Sequence, residues 1–104
     1  MKRLVEIRSY NLAPGRRADF HRLVVEKSMP LLRKWKVDVV AFGPSPQDED
    51  SYYLIRAYSS LDDRKASQDA FYGSADWQEW RKLVAHTFEG PPSVEHVKET
   101  LKAF

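Results

Sequence analysis

Leu4–Tyr10 alternates, with Val5, Ile7 and Ser9 on one side and Leu4, Glu6, Arg8 and Tyr10 on the other, which predicts a β-strand. Asn11–Gly15 reads as a turn punctuated by Pro14 and Gly15. From Arg16 to about Lys34 the period becomes helical, with Phe20, Leu23, Val24 and Leu31 recurring among charged residues and Trp35 continuing the stripe. Pro30 lies inside this pattern, lacks a backbone donor and crowds the carbonyl of Glu26, so a kink or break is expected there. Val37–Phe42 predicts a second strand, Gly43–Asp50 a long hairpin connection and Ser51–Tyr58 a third strand. Ser60 is the expected N-cap of a helix reaching about Phe71, with Asp62 and Asp63 in its first turn. Gly73 breaks that helix, and Ser74 caps another that carries Trp77, Trp80, Leu83 and Val84 on one stripe and ends at Gly90-Pro91-Pro92. Val94–Leu101 alternates weakly and gives a fourth strand.

The order β-α-β-β-α(α)-β, with right-handed crossovers, implies an α+β, ferredoxin-like sandwich: a four-stranded antiparallel sheet with strands one and three in its middle and helices on one face. A length of 104 residues fits one domain, 1–104. The composition, 42% hydrophobic and 31% charged, is that of a globular protein, and no apolar run is long enough to span a bilayer. Glu6 and Arg8 come too early for a secretory signal, and zero cysteines exclude disulfides, thiolate nucleophiles and Cys-ligated metals; a cytoplasmic location is expected.

The faces of the sheet set the functional question. We expect Val5 and Ile7, with Tyr53, Ile55 and Ala57, to face the helices. The opposite set is Leu4, Glu6, Arg8 and Tyr10 with Tyr52, Leu54, Arg56 and Tyr58, joined by Val40 and Phe42 of the second strand. Left bare, that set is a larger apolar patch than a soluble monomer tolerates, so a second copy related by a two-fold axis is the expected cover. Burying Glu6, Arg8 and Arg56 then costs several kcal/mol per ion unless they pair or meet a ligand. Either they form a structural ion-pair and tyrosine cluster that fixes the register of the dimer, or they line a cavity for a small anionic or aromatic molecule.

Four segments carry a resemblance. Val5–Tyr10 (VEIRSY) followed by Pro14-Gly15, Met29-Pro30-Leu31-Leu32, Tyr53–Leu61 (YLIRAYSSL) with Asp62 to Arg64, and Trp77 after Ser74-Ala75-Asp76 occur in the order found in the NIPSNAP family, which the chain resembles over about three quarters of its length. The resemblance implies a dimeric α+β barrel, a homodimer whose sheets face each other. It supplies no catalytic motif and no cofactor. Related barrel families include cofactor-independent monooxygenases and haem-degrading enzymes, whose chemistry lies between sheet and helices, often with Asn, Trp and His. By that analogy Trp77, Trp80 and His86 join Glu6, Arg8, Tyr10, Arg56 and Tyr58 as ligand-binding candidates, although helical spacing makes both tryptophans ordinary core residues as well.

The remaining motifs exclude more than they assign. His21, beside Phe20 in a charged stretch, reads as solvent-facing; with His86 and His96 it shows no metal spacing, so no metal is expected. Asp62 and Asp63 read as first-turn helix charge rather than a catalytic pair. There is no GxGxxG, GxxxxGK[ST] or GxSxG. Nucleic acid is excluded as a partner by a net charge of only +2 and by a third strand without the glycine of an RNA-recognition motif. Three functions stay open: a homodimer binding a small organic molecule, a cofactor-independent monooxygenase or isomerase acting on an aromatic or polyketide-like substrate, and a module presenting the acidic loop Gly43–Asp50 to a protein.

Overall fold

A computed structural model describes residues 4–84 and 97–103. The chain runs β1 (Leu4–Asn11), α1 (Arg17–Leu23), a π-helical turn (Val24–Ser28), α2 (Met29–Lys34), β2 (Asp38–Pro44), β3 (Ser51–Tyr58), α3 (Leu61–Tyr72), α4 (Ala75–Val84) and β4 (Val97–Ala103). The strands form one sheet in the order β2-β3-β1-β4, and every neighbouring pair is antiparallel. This is the α+β, ferredoxin-like arrangement expected from the order of elements. The predicted fourth strand began at Val94; residues 94–96 lie outside the described residues, as do His86 and His96.

The first helix absorbs Pro30 without breaking. Leu23, Val24, Ser28 and Met29 all keep right-handed helical dihedrals, so α1, the π-helical turn and α2 follow one another without interruption. The Met29 N–H reaches back five residues to the Val24 carbonyl, which widens the turn just ahead of the proline. Pro30 then falls in the first turn of α2, where a missing donor costs little. The helix ends on Lys36 in the left-handed region (φ 57°), with Lys36 N–H on the Arg33 carbonyl and Val37 N–H on the Leu32 carbonyl.

α3 starts as its sequence requires. The Ser60 hydroxyl accepts from Asp63 N–H at 3.1 Å, and the Asp63 carboxylate accepts from Ser59 N–H at 2.9 Å. Ser74 Oγ accepts from Trp77 N–H at 3.2 Å at the start of α4. The β2–β3 loop is tied down: Arg17 donates to the Ser45 and Asp48 carbonyls, and Asp50 accepts from Gly15 N–H.

The faces of the sheet are the reverse of the expectation. Leu4, Glu6, Arg8 and Tyr10 are buried beneath the helices, and so are Tyr52, Leu54, Arg56 and Tyr58. Val5, Ile7, Ser9, Tyr53 and Ile55 alternate with them and fall on the open face, where Ile7 is 39% exposed. Volume decides the phase: the large aromatics Tyr10 and Tyr52 pack with Phe20, Leu12 and Leu54 in the core between sheet and helices. On β2, Phe42 does lie with Leu54, but that set is the covered one; a bulge between Val39 and Ala41 throws Val40 outward at 60% exposure.

Candidate functional site

The covered face buries charge, and the site begins with how that charge is held. Glu6 is 0% exposed and sits among donors from two other elements. Arg56 of β3 donates Nε to Oε1 at 2.7 Å, while on α3 Arg64 Nε and Gln68 Nε2 reach Oε2 at 2.7 and 2.6 Å. Arg64 and Gln68 are four residues apart, so a single helix face supplies both. Burial acts to raise the Glu6 carboxyl, but Arg56, with Arg8 and Arg64, outweighs it and holds the pKa below the ordinary value.

Arg8, one alternate position along β1, is the second centre. It pairs with Glu99 of β4, donates Nε to the Tyr10 hydroxyl at 3.0 Å, and lies 3.8 Å from Glu6 Oε1. Its guanidinium also packs against the Tyr10 and Tyr72 rings. Arg64 Nη2 reaches the other oxygen of Glu99 at 2.7 Å, and Arg56 Nη2 donates to the Tyr72 hydroxyl at 3.3 Å. Two carboxylates and three guanidiniums thus form one connected cluster.

Above the cluster lies a cavity of about 220 Å³. Arg8, Arg56 and Glu99 line it on the sheet side, together with Tyr10, Tyr52 and Leu54. Its other walls come from Phe20, from Val24 and Ser28 in the π-helical turn, from α2, and from an aromatic group on α3 and α4. In that group Trp77 and Trp80 stack at 5.0 Å, and Tyr72 meets Trp77 edge-on at 4.7 Å. The Trp80 indole N–H donates to Ser28 Oγ, which joins α4 to the widened turn. Asp76 pins α4 to the end of α2 by accepting from Lys34 Nζ at 2.8 Å and Trp35 Nε1 at 2.9 Å; these two bonds, the lysine's first, lower its pKa.

The candidates from sequence now have positions. Arg8, Tyr10, Arg56, Trp77 and Trp80 share the cavity wall, and Glu6 lies behind it, bonded to Arg56. Tyr58 is 2% exposed on the same face but does not line the cavity; burial raises its pKa, against the pull of Arg56 and Gln68. His21 is half-buried rather than solvent-facing, and its Nδ1 lies 2.6 Å from the Tyr52 hydroxyl. Burial pushes the Tyr52 phenol well above its ordinary value. Sequence reasoning missed Arg64, Gln68, Glu99, Ser28 and Tyr72. The four-residue spacing of Arg64 and Gln68 was the available signal for the first two. Among the described residues no cluster of potential metal ligands occurs, and no helix is long and apolar enough to cross a membrane.

The NIPSNAP family model matches residues 5–100, nearly the whole chain. The chain belongs to the NIPSNAP family. Solved NIPSNAP structures share its fold. A NIPSNAP domain protein from Burkholderia xenovorans is similar at 16% identity over 97% of this chain and 93% of its own, with a TM-score of 0.83. A NIPSNAP family protein of unknown function from Agrobacterium tumefaciens is similar at 18% identity over 99% and 88%, with a TM-score of 0.84. A Bordetella bronchiseptica protein, assigned provisionally as an antibiotic biosynthesis monooxygenase, is 32% identical over 100% of both chains, with a TM-score of 0.72. No curated protein matches.

Proposed function

We propose that this NIPSNAP protein acts as a homodimer joined through its open sheet faces, each copy binding a small organic molecule between sheet and helices. The cavity carries the reading. Its volume of about 220 Å³ exceeds the roughly 150 Å³ that suffices for benzene in an apolar core, and its walls are mainly aromatic and aliphatic. A few convergent polar groups in such a wall are the usual make-up of a ligand site. The dimer rests on the other face, where Val5, Ile7, Tyr53 and Ile55 share an apolar surface that the described residues leave partly exposed.

The three indoles test the binding reading within one spectrum. Titrating an aromatic fragment panel into ¹⁵N-labelled protein is expected to shift the Trp77 and Trp80 indole signals saturably. The Trp35 indole, bonded to Asp76 and not part of the cavity wall, is expected to stay. An absence of saturable shifts at millimolar fragment contradicts the reading.

The Bordetella relative favours a second reading, in which the same cavity performs cofactor-independent monooxygenation or isomerisation of an aromatic or polyketide-like substrate. Arg8 or Arg56 would then stabilise an enolate or phenolate oxygen, and Tyr10 would orient the substrate. Oxygen uptake with hydroquinones and anthrones supports this reading, and none across the panel removes it.

A further inference from the structure

The charge cluster beneath the cavity is unbalanced. Arg8, Arg56 and Arg64 face Glu6 and Glu99, which leaves one net positive charge among the described residues of the cluster. Two of those cations lean on the same atom: Glu6 Oε1 lies 2.7 Å from Arg56 Nε and 3.8 Å from Arg8 Nη1. Holding an excess cation next to an apolar cavity costs several kcal/mol unless something anionic completes it. The Arg8 and Arg56 side chains both line the cavity, so the excess charge stands at its wall.

The two carboxylates are not equivalent. Glu6 is fully buried, takes four donors and stands behind the wall. Glu99 lines the cavity, its side chain is 35% exposed, and it comes from β4, which among the described strands is at the edge of the sheet beside β1. Its bonds go to Arg8 and Arg64. Glu99 is therefore the acid that an incoming carboxylate can replace on Arg8, while Glu6 keeps the cluster assembled.

We propose that the cavity selects an aromatic carboxylate of one or two rings, held as a monoanion by Arg8 and Arg56, and that Glu99 is the internal carboxylate which the ligand's acid displaces from Arg8. This rests on the cavity being a ligand site. The aromatic wall of Phe71, Tyr72, Trp77 and Trp80 takes the rings, and the guanidiniums take the acid in the fork geometry that suits a carboxylate.

Calorimetric titration with 2-naphthoate and its neutral counterpart, 2-naphthalenemethanol, tests the proposal on the wild-type chain and on Glu99→Gln. A hydrogen bond to a charged group is worth enough to expect naphthoate to bind about tenfold or more tighter than the alcohol, with an advantage that shrinks as salt rises. Glu99→Gln removes the competing charge and keeps the side-chain shape. It is expected to tighten naphthoate by a further factor of about five to ten and to leave the alcohol within about twofold. Equal affinities of the wild type for both compounds overturn the anion selection while the small-molecule reading stands. Weaker naphthoate binding by a folded Glu99→Gln overturns the displacement. Failure of both compounds, together with the wider fragment panel, overturns the proposal along with the reading beneath it.

Discussion

Glu6, Arg8 and Arg56 occupy the covered face of the sheet, and Val5, Ile7 and Ile55, one residue along the same strands, occupy the open one. Both faces are only partly satisfied by the strands that build them. On the covered face the remedy comes from the chain itself: α3 brings Arg64 and Gln68, β4 brings Glu99, and every carboxylate gains at least two donors. On the open face no element of the described chain offers apolar cover. Charge goes inside where several elements can pair it, and β-branched side chains are left on the face that no described element covers.

Removing a charge should therefore hurt far more than trimming the open face. Glu6→Ala strips Arg56 and Arg64 of their shared carboxylate and is expected to cost about 3–5 kcal/mol in urea unfolding. A loss below about 1 kcal/mol would mean the cluster is not the anchor of the covered face. Acid gives a gentler version of the same break. Because the folded Glu6 pKa is depressed, its contribution is fully present above the unfolded carboxyl value of about 4.3 and fades as pH falls through the lower folded value. Glu6→Gln, which lacks that titration, is expected to lose less stability than wild type on acidification below about pH 4.3.

Smaller effects sharpen the contrast by probing what carries the partners. Ser60 caps the helix that supplies Arg64 and Gln68, so Ser60→Ala is expected to lower stability by about 1 kcal/mol in the same unfolding assay. Lys36 belongs to neither face and holds a left-handed φ of 57°. Lys36→Gly is expected to raise stability by about 0.5–1 kcal/mol, since glycine adopts that conformation freely. A loss at Lys36 would show that its side chain matters more than its backbone.

The elements were legible because each rests on local chemistry. The strand pattern of Ser51–Tyr58 coincides with β3 from end to end, and Ser60, Ser74 and Pro30 mark helix boundaries or distortion from one or two residues each. The phase of β1 was not legible, because alternation defines two sets without saying which is inside. The hydrophobic count favoured Val5 and Ile7, whereas burial followed the volume of Tyr10, Tyr52 and Leu54 and the pairing of Glu6 across 50 to 62 residues of sequence. The β2 bulge hid in the same way, since Val39 and Phe42 share a face that strict alternation forbids. Of the cavity wall, Arg8, Tyr10, Arg56, Trp77 and Trp80 were named from sequence, but the first three for the opposite face.

How the two faces are closed is most directly read by sedimentation velocity of wild type and Ile7→Asp at micromolar concentration. Ile7 opposes Ile55 on the two middle strands of the open face, so an aspartate there puts an unpaired charge into a sheet-to-sheet interface while leaving the buried cluster alone. Wild type is expected at twice the 12.1 kDa chain mass, and Ile7→Asp at the chain mass with an unchanged circular dichroism spectrum. A monomeric wild type, or an Ile7→Asp variant that still sediments as a dimer, would contradict the assignment of this face to a second copy.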